Sequence, residues 1–210
     1  MQARPTSAPT VFVIDDDPDV REGLDALFQS MGLKSQAFRS ATDFFQSKLP
    51  DQVSCLIVDV RLPGLSGLDF QDELAKTRID IPIIFITGHG DIPMSVKAIK
   101  AGAVEFLTKP LREQDLLDAV RVALDRDRTR RQQEAKTHDL RVRFEGLSAR
   151  EQKIMSLVCA GLMNKQTAAE IGVSEVTVKV HRHNVMKKLG AKSLAELVRM
   201  ADSLGIPHRH

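Results

Sequence analysis

Apolar and polar positions follow two different rhythms along this chain. In the first 125 residues, short apolar runs alternate with amphipathic stretches. The runs at 10–14 ("TVFVI"), 34–38 ("KSQAF"), 54–60 ("SCLIVDV"), 81–86 ("IPIIFI") and 104–108 ("VEFLT") read as strands. The most apolar of them are nearly continuous Val, Ile, Leu and Phe, the pattern of strands covered on both faces of a parallel sheet. Helical periodicity lies between them, near 18–31, 42–48, 66–77 and 92–101, and begins again at Glu113. Five β-α units at this spacing predict an α/β doubly wound, five-stranded parallel sheet. In such a sheet sites form beyond the carboxyl ends of the strands. That rule gathers Asp15, Asp16, Asp59, Thr87 and Lys109 on one rim.

The second rhythm is wholly helical. The stretch 113–138 starts apolar-periodic and becomes almost entirely charged, as a helix running out into a solvated linker does. From Gly146 onward, Ser148-x-x-Glu151 and Ser193-x-x-Glu196 have capping-box spacing. Gly161, Gly172 and Gly190 fall where helices should stop. The expected division is therefore a sheet domain at 1–125, a helical charged linker at 126–145 and a smaller all-α domain at 146–210. Within the last, a helix, a tight turn at Ile171-Gly172-Val173 and a second helix after Ser174 make helix-turn-helix geometry. Projected at about 100° per residue, Val178, His181, Val185 and Leu189 share a core-facing sector. Val176, Lys179, Val180, His183 and Lys187 fall on the opposite side.

Two valines among cations make little sense on a plain solvated face. They suit a face that enters a major groove, where apolar groups meet thymine methyls and cations meet base-edge acceptors. Thr177, Arg182 and Lys188 flank this face and suit phosphates. His181 and His183 point in different directions and do not make a metal pair. His208-Arg209-His210 reads as a mobile tail. One helix-turn-helix reads few base pairs, so a homodimer on repeated half-sites is expected; the helix 193–204, with Leu194, Leu197, Val198 and Ala201, either caps its own core or forms that interface.

Charge sharpens the division. Residues 1–125 hold 13 Lys/Arg against 19 Asp/Glu, residues 126–145 hold 7 against 4, and residues 146–210 hold 10 against 5. The acidic front and basic tail suit a second module that meets a polyanion. Cys55 and Cys159 form no CxxC pair and point to a reducing cytoplasm. No signal-like or membrane-length apolar run is evident, so a soluble cytoplasmic protein is expected.

The carboxylates explain the acidic front. Asp17 precedes Pro18 and reads as a helix N-cap. Asp15, Asp16 and Asp59 converging at strand ends would repel one another unless a cation offsets them, and a hard divalent ion such as Mg²⁺ does so. A carboxylate beside Mg²⁺ can attack phosphorus and form an aspartyl phosphate. Lys109 could supply an ammonium and Thr87 a hydroxyl to hold the new charge.

The stretches "VIDDDP", "LIVDVRLPGLSGLDF", "IFITGHGD" and "EFLTKPL" resemble the flavodoxin-like receiver domain of two-component response regulators. The resemblance implies that Asp59 accepts a phosphoryl group from a sensor histidine kinase. It implies that Asp16, Asp59 and the backbone carbonyl of Arg61 bind Mg²⁺ directly, with Asp15 acting through water. Thr87, Phe106 and Lys109 match the family's switch hydroxyl, switch aromatic and lysine, with Phe in place of Tyr. Pro63, Gly64 and Gly67 match loop-shaping positions. An aspartyl-phosphate phosphatase needs a second acid two residues after the nucleophile, where this chain has Arg61, so no enzyme is expected beyond the protein's own phosphotransfer and dephosphorylation. The stretch from Leu147 to Ala201 resembles the LuxR-type DNA-binding domain, and the pair resembles the NarL/FixJ group, FixJ-like branch. That resemblance assigns base contacts on double-stranded promoter DNA to Lys179, Val180 and His183, and leaves RNA polymerase as a further candidate partner. The alternative is a regulator that binds DNA regardless of phosphorylation and uses its receiver only to dimerise.

Overall fold

A computed structural model describes residues 8–77, 79–88 and 92–206. His89, Gly90 and Asp91 of the "IFITGHGD" stretch, and the tail His208–His210, lie outside the described residues. The chain divides into two compact units, 1–131 and 132–210.

In the first unit, strands β1 (Thr10–Ile14), β2 (Lys34–Phe38), β3 (Ser54–Asp59), β4 (Ile83–Thr87) and β5 (Glu105–Thr108) alternate with helices α1 (Pro18–Ser30), α2 (Ala41–Gln46), α3 (Gly67–Thr77) and α4 (Ile92–Lys100). The sheet is wholly parallel in the order β2-β1-β3-β4-β5. Side chains alternate along each strand, so the sheet has two buried faces. Phe12, Ile14, Leu56, Val58 and Phe85 pack with Phe44, Phe70 and Leu74 of α2 and α3. Val11, Val13, Ile57, Ile84 and Ile86 pack with Leu24 and Phe28 of α1 and with the start of α5 (Glu113–Glu145). Phe44 lies edge-on to Phe12, Phe38 and Phe70 at centroid separations of 5.9, 5.3 and 5.6 Å, a geometry that adds about 0.5–1.5 kcal/mol per pair to area burial. The doubly wound sheet and the smaller helical domain expected from the pattern are both present.

β1 has β2 on one side and β3 on the other, and the winding reverses there. A crevice opens at such a switch point, beyond the carboxyl ends of the strands. One glycine lets the crevice form. A Cβ on Gly67, at the start of α3, would sit 2.8 Å from the Asp59 carbonyl oxygen and 2.9 Å from Val60 Cα. Only a hydrogen allows α3 to begin so close to the end of β3.

The second unit contains α6 (Ala149–Cys159), α7 (Asn164–Ile171), α8 (Glu175–Leu189) and α9 (Leu194–Ser203). At α6 the capping box is complete, with Ser148 and Glu151 bonding reciprocally. At α9 it is half made. Ser193 Oγ accepts from Glu196 N, but the Glu196 carboxylate accepts from Lys192 N instead. Gly172 ends α7 in the left-handed region at φ 66°, which turns the chain sharply into α8. Ile154, Val158, Ala168 and Val178 form one core of this unit; Leu147, Met155, Val185, Leu189, Leu197 and Ala201 form another.

Candidate functional site

The rim at the carboxyl ends of the strands gathers groups far apart in sequence. Asp15 follows β1, Asp59 ends β3, Thr87 ends β4 and Lys109 follows β5. Asp15 is fully buried, Asp59 nearly so, and Asp16 is exposed. Ligand oxygens of Asp15, Asp16 and Asp59 all lie within 4.8 Å of one another. Lys109 Nζ stands between two of them, 2.8 Å from Asp15 Oδ2 and 2.7 Å from Asp59 Oδ2. The other carboxylate oxygens accept backbone N–H groups, Asp17 to Asp15 at 2.9 Å and Arg61 to Asp59 at 2.8 Å. Asp17 is the N-cap of α1, accepting from Asp19 N, with Pro18 opening the helix. Lys109 N donates to the Thr87 carbonyl at 2.8 Å, which holds the lysine's backbone to the end of β4.

Burial pushes the Asp15 carboxyl above its ordinary value, against the lowering effect of Lys109 and the Asp17 N–H. Burial would lower the Lys109 ammonium, but its hydrogen bonds to Asp15 and Asp59 outweigh that and hold it above its ordinary value. The rim is therefore a cluster of carboxylates sharing one half-buried cation. Three convergent carboxylates are the all-oxygen, anionic donor set that a hard dication takes. Phe106 of β5 is half-buried, with its ring 6.4 Å from that of Phe85.

The second set of residues lies on one helix. Along α8, Val178, Val185 and Leu189 are buried and His181 half-buried. Val176 is 69% and Val180 54% exposed, and Lys179, His183 and Lys187 are exposed beside them. The projected faces are thus the ones the helix presents. The flanking positions are more committed than their spacing implied. Lys188 Nζ is 2.7 Å from the buried Glu151 carboxylate, and Arg182 Nη1 donates to Asn164 Oδ1 at 3.2 Å. Thr177 Oγ1 is hydrogen-bonded to the N-cap hydroxyl of Ser174 at 2.8 Å. Lys188 and Arg182 therefore join α8 to α6 and α7 whatever else they touch. Lys179 is paired only at the surface, 3.2 Å from Glu175 Oε1.

Three features escaped the sequence reading. Arg21 Nη1 donates to the Asp15 carbonyl at 2.8 Å, bracing the acidic turn from α1. Gly67, a loop-shaping position by resemblance, opens α3 and lies against the backbone of Asp59. Glu151 is more than a cap. The Lys188 ammonium and the Ser148 N–H pull its carboxyl down to about 2. Only the capping half of that role has a local signature.

A buried acid-lysine rim on a doubly wound sheet, in one chain with a helix-turn-helix unit, defines a receiver domain with a DNA-binding output domain. Residues 11–121 match the response regulator receiver domain, and residues 145–201 match the luxR family of bacterial regulatory proteins. Nodulation protein W of Bradyrhizobium diazoefficiens is 58% identical over 200 residues, covering 95% of this chain and 88% of that protein. Transcriptional regulatory protein FixJ of Azorhizobium caulinodans is 43% identical over 202 residues, covering 96% and 95%. Among solved structures, response regulator StyR superposes with a TM-score of 0.80 at 50% identity, covering 93% of this chain and 99% of that one. The chain belongs to the response regulators that carry a luxR-type output domain, the FixJ-like group.

Membership makes it a transcriptional regulator of two-component type rather than a classical enzyme. A receiver implies a histidine kinase as partner, and a luxR-type domain implies DNA. Among the described residues, no helix is long and apolar enough to cross a membrane.

Proposed function

We propose that this cytoplasmic regulator accepts a phosphoryl group on Asp59 and thereby strengthens its grip on promoter DNA. One observation carries the reading. The Asp59 carboxylate lies at the carboxyl end of a central strand, 2.7 Å from Lys109 Nζ and within a 4.8 Å group of three acids. Asp16, Asp59 and the Arg61 carbonyl would hold Mg²⁺, with Asp15 acting through water. That ion, when bound, supplies charge neutralisation to the phosphoryl oxygens.

The chain's own residues do the rest. An Asp59 Oδ attacks phosphorus of the kinase's phosphohistidine; the P–N bond breaks and its electron pair leaves on the imidazole, which takes up a proton. Lys109 moves from bridging two carboxylates to pairing with a phosphoryl oxygen. The Thr87 hydroxyl donates to a second oxygen, and Phe106 turns inward behind it. Phe cannot make a phenolic hydrogen bond, so its switch is one of packing alone. The affected face spans 92–101, 105–108 and 111–125. Its exposed Ile92, Val96, Ile99 and Val122 would supply apolar surface for a homodimer.

Segment 126–145 connects this receiver to the DNA-binding part at 146–210. There Lys179, Val180 and His183 read base edges, with Val176 on thymine methyls. Lys187 and the flanking Thr177, Arg182 and Lys188 meet phosphates, and RNA polymerase is a further candidate partner at the promoter. Shifting the receiver from 1:99 to 99:1 takes about 5.5 kcal/mol of differential stabilisation. A phosphoryl group gaining one to three charge-assisted hydrogen bonds is of that order.

The test combines acetyl phosphate, Mg²⁺ and intact-mass spectrometry with fluorescence anisotropy on promoter fragments. The wild type should gain one phosphoryl group and bind DNA more tightly. Phosphorylation without any gain in DNA affinity would favour a receiver that only dimerises.

A further inference from the structure

The opposite rim of the sheet, at the amino ends of the strands, carries a second charge cluster that phosphoryl chemistry does not use. Helix α5 buries Leu116, Ala119, Val120, Ala123 and Leu124 against the sheet, and its next inward position is Asp127, at 0% exposure. A lone carboxylate there would be costly. Instead the backbone N–H of Ser54 donates to Asp127 Oδ2 at 2.9 Å, and Arg131 Nε donates to the same oxygen at 2.8 Å. Arg130 donates to Oδ1 through Nε at 3.1 Å and through Nη2.

Each arginine reaches further. Arg131 Nη1 donates to Asp51 just before β3, and Arg130 Nε lies 3.8 Å from Asp80 just before β4. One turn earlier, Arg126 Nη1 donates to the carbonyl of Gly102, between α4 and β5, at 3.2 Å. Burial drives the Cys55 thiol far above its ordinary value, and the Asp127 carboxylate adds to the push.

The position of this cluster suggests its use. The first unit ends at Arg131, and residues 132–136 of the same helix are exposed. Apolar anchoring of α5 in the receiver ends at Leu124. Such contacts are non-directional and let a helix roll or slide; charge-assisted, forked hydrogen bonds fix it in register. Ser54 begins β3 and Asp59 ends it. The anchor and the proposed phosphoacceptor are the two ends of one six-residue strand.

We infer that Asp127, held by Arg130 and Arg131, is a positioning residue for signal transfer. It fixes α5 to β3 and, through the two arginines, to the loops before β3 and β4, so that a change at Asp59 is carried into the helix beyond Arg131. It touches neither phosphoryl group nor DNA and acts only through α5. The inference rests on the phosphorylation-dependent DNA binding proposed above.

The experiment uses the full chain as wild type and as Asp127→Asn, Arg131→Ala and Arg131→Lys. Acetyl phosphate with Mg²⁺ gives the extent of phosphorylation, and anisotropy gives DNA affinity before and after it. Asp127→Asn and Arg131→Ala should phosphorylate as the wild type does, and keep its unphosphorylated DNA affinity. Their phosphorylation-dependent gain should shrink by about 5-fold or more, the ordinary scale of coupling between two sites. Arg131→Lys, which keeps a cation toward Asp127 and Asp51, should recover part of the gain. An undiminished gain in Arg131→Ala overturns the inference, even if Asp127→Asn proves too unstable to measure. So does a loss of DNA affinity that is equal with and without phosphorylation, since that marks a merely structural role. A wild type that shows no gain at all sinks the proposed function itself, and is told apart because no substitution is involved.

Discussion

The acidic rim and the exposed face of α8 are built in opposite ways. At the rim, Asp15, Asp59 and Lys109 come from three separate strand ends, and their charges are paired inside the protein. On α8, Val176, Lys179, Val180, His183 and Lys187 lie within 12 residues of one helix and point outward. The difference suits the role proposed for each. A phosphoryl group is compact and has to be met from several sides by groups that converge; a DNA groove is long and is met by one protruding edge. Convergence needs tertiary structure, whereas a protruding edge needs only helical periodicity.

Substitutions should separate the two regions, beginning with the largest effect. Asp59→Asn should abolish incorporation of phosphate from acetyl phosphate while leaving unphosphorylated DNA binding intact; an acid-labile label surviving on the variant would falsify the assignment. Gly67→Ala puts a methyl group against the Asp59 carbonyl and should cost about 1–3 kcal/mol by overpacking. Denaturant unfolding should place that loss in the first unit, together with slowed phosphorylation and unaltered DNA recognition. If the variant unfolds and phosphorylates normally, the rim does not need α3 so close. Lys179→Ala should lower discrimination at one base pair by about 1–3 kcal/mol, measured as the affinity ratio between cognate and substituted sites. A uniform loss on all sequences would make it a phosphate contact.

Smaller effects sharpen the comparison within the second unit. Glu151→Gln removes the carboxylate that holds Lys188 and closes the Ser148 capping box. Glutamine can still close the capping box, so the loss is that of the ion pair to the half-exposed Lys188 and should be about 1 kcal/mol or less. The pH dependence has a definite sign. The carboxyl stands near 4.5 when unfolded and is lowered to about 2 when folded, so its stabilisation is fully present above 4.5 and fades as pH falls towards 2. The wild type should lose its advantage over Glu151→Gln in that window; a constant difference across it excludes the ion pair as the cause. Lys187→Ala should reduce the slope of log affinity against log salt by about 1. An unchanged slope removes Lys187 from the phosphate contacts.

Much of this was legible in the order of residues. The strand-end positions of Asp15, Asp59, Thr87 and Lys109 followed from apolar runs that stop just before or at them, since a parallel sheet places all such ends on one side. The α8 faces followed from periodicity alone. What stayed hidden were pairings across long separations. Lys188 read as a flanking position suited to phosphate, and nothing near it in the chain indicated that its Nζ lies against Glu151, 37 residues away. Ser193-x-x-Glu196 has the same spacing as Ser148-x-x-Glu151, yet Glu196 turns to Lys192 N. A spacing states which groups can meet; the packing around them selects which do.

The sequence by itself determined the periodicities, and with them a two-sided parallel sheet, a helix-turn-helix unit and the rim on which the acids would lie. Those are local consequences of where apolar side chains recur. Only the tertiary structure decided that Lys109 bridges Asp15 and Asp59, that Gly67 must lack a side chain, and that Asp127 lies wholly buried under two arginines. Each of these depends on distances between segments far apart along the chain, which are fixed by the packing of the two sheet faces rather than by any nearby residue.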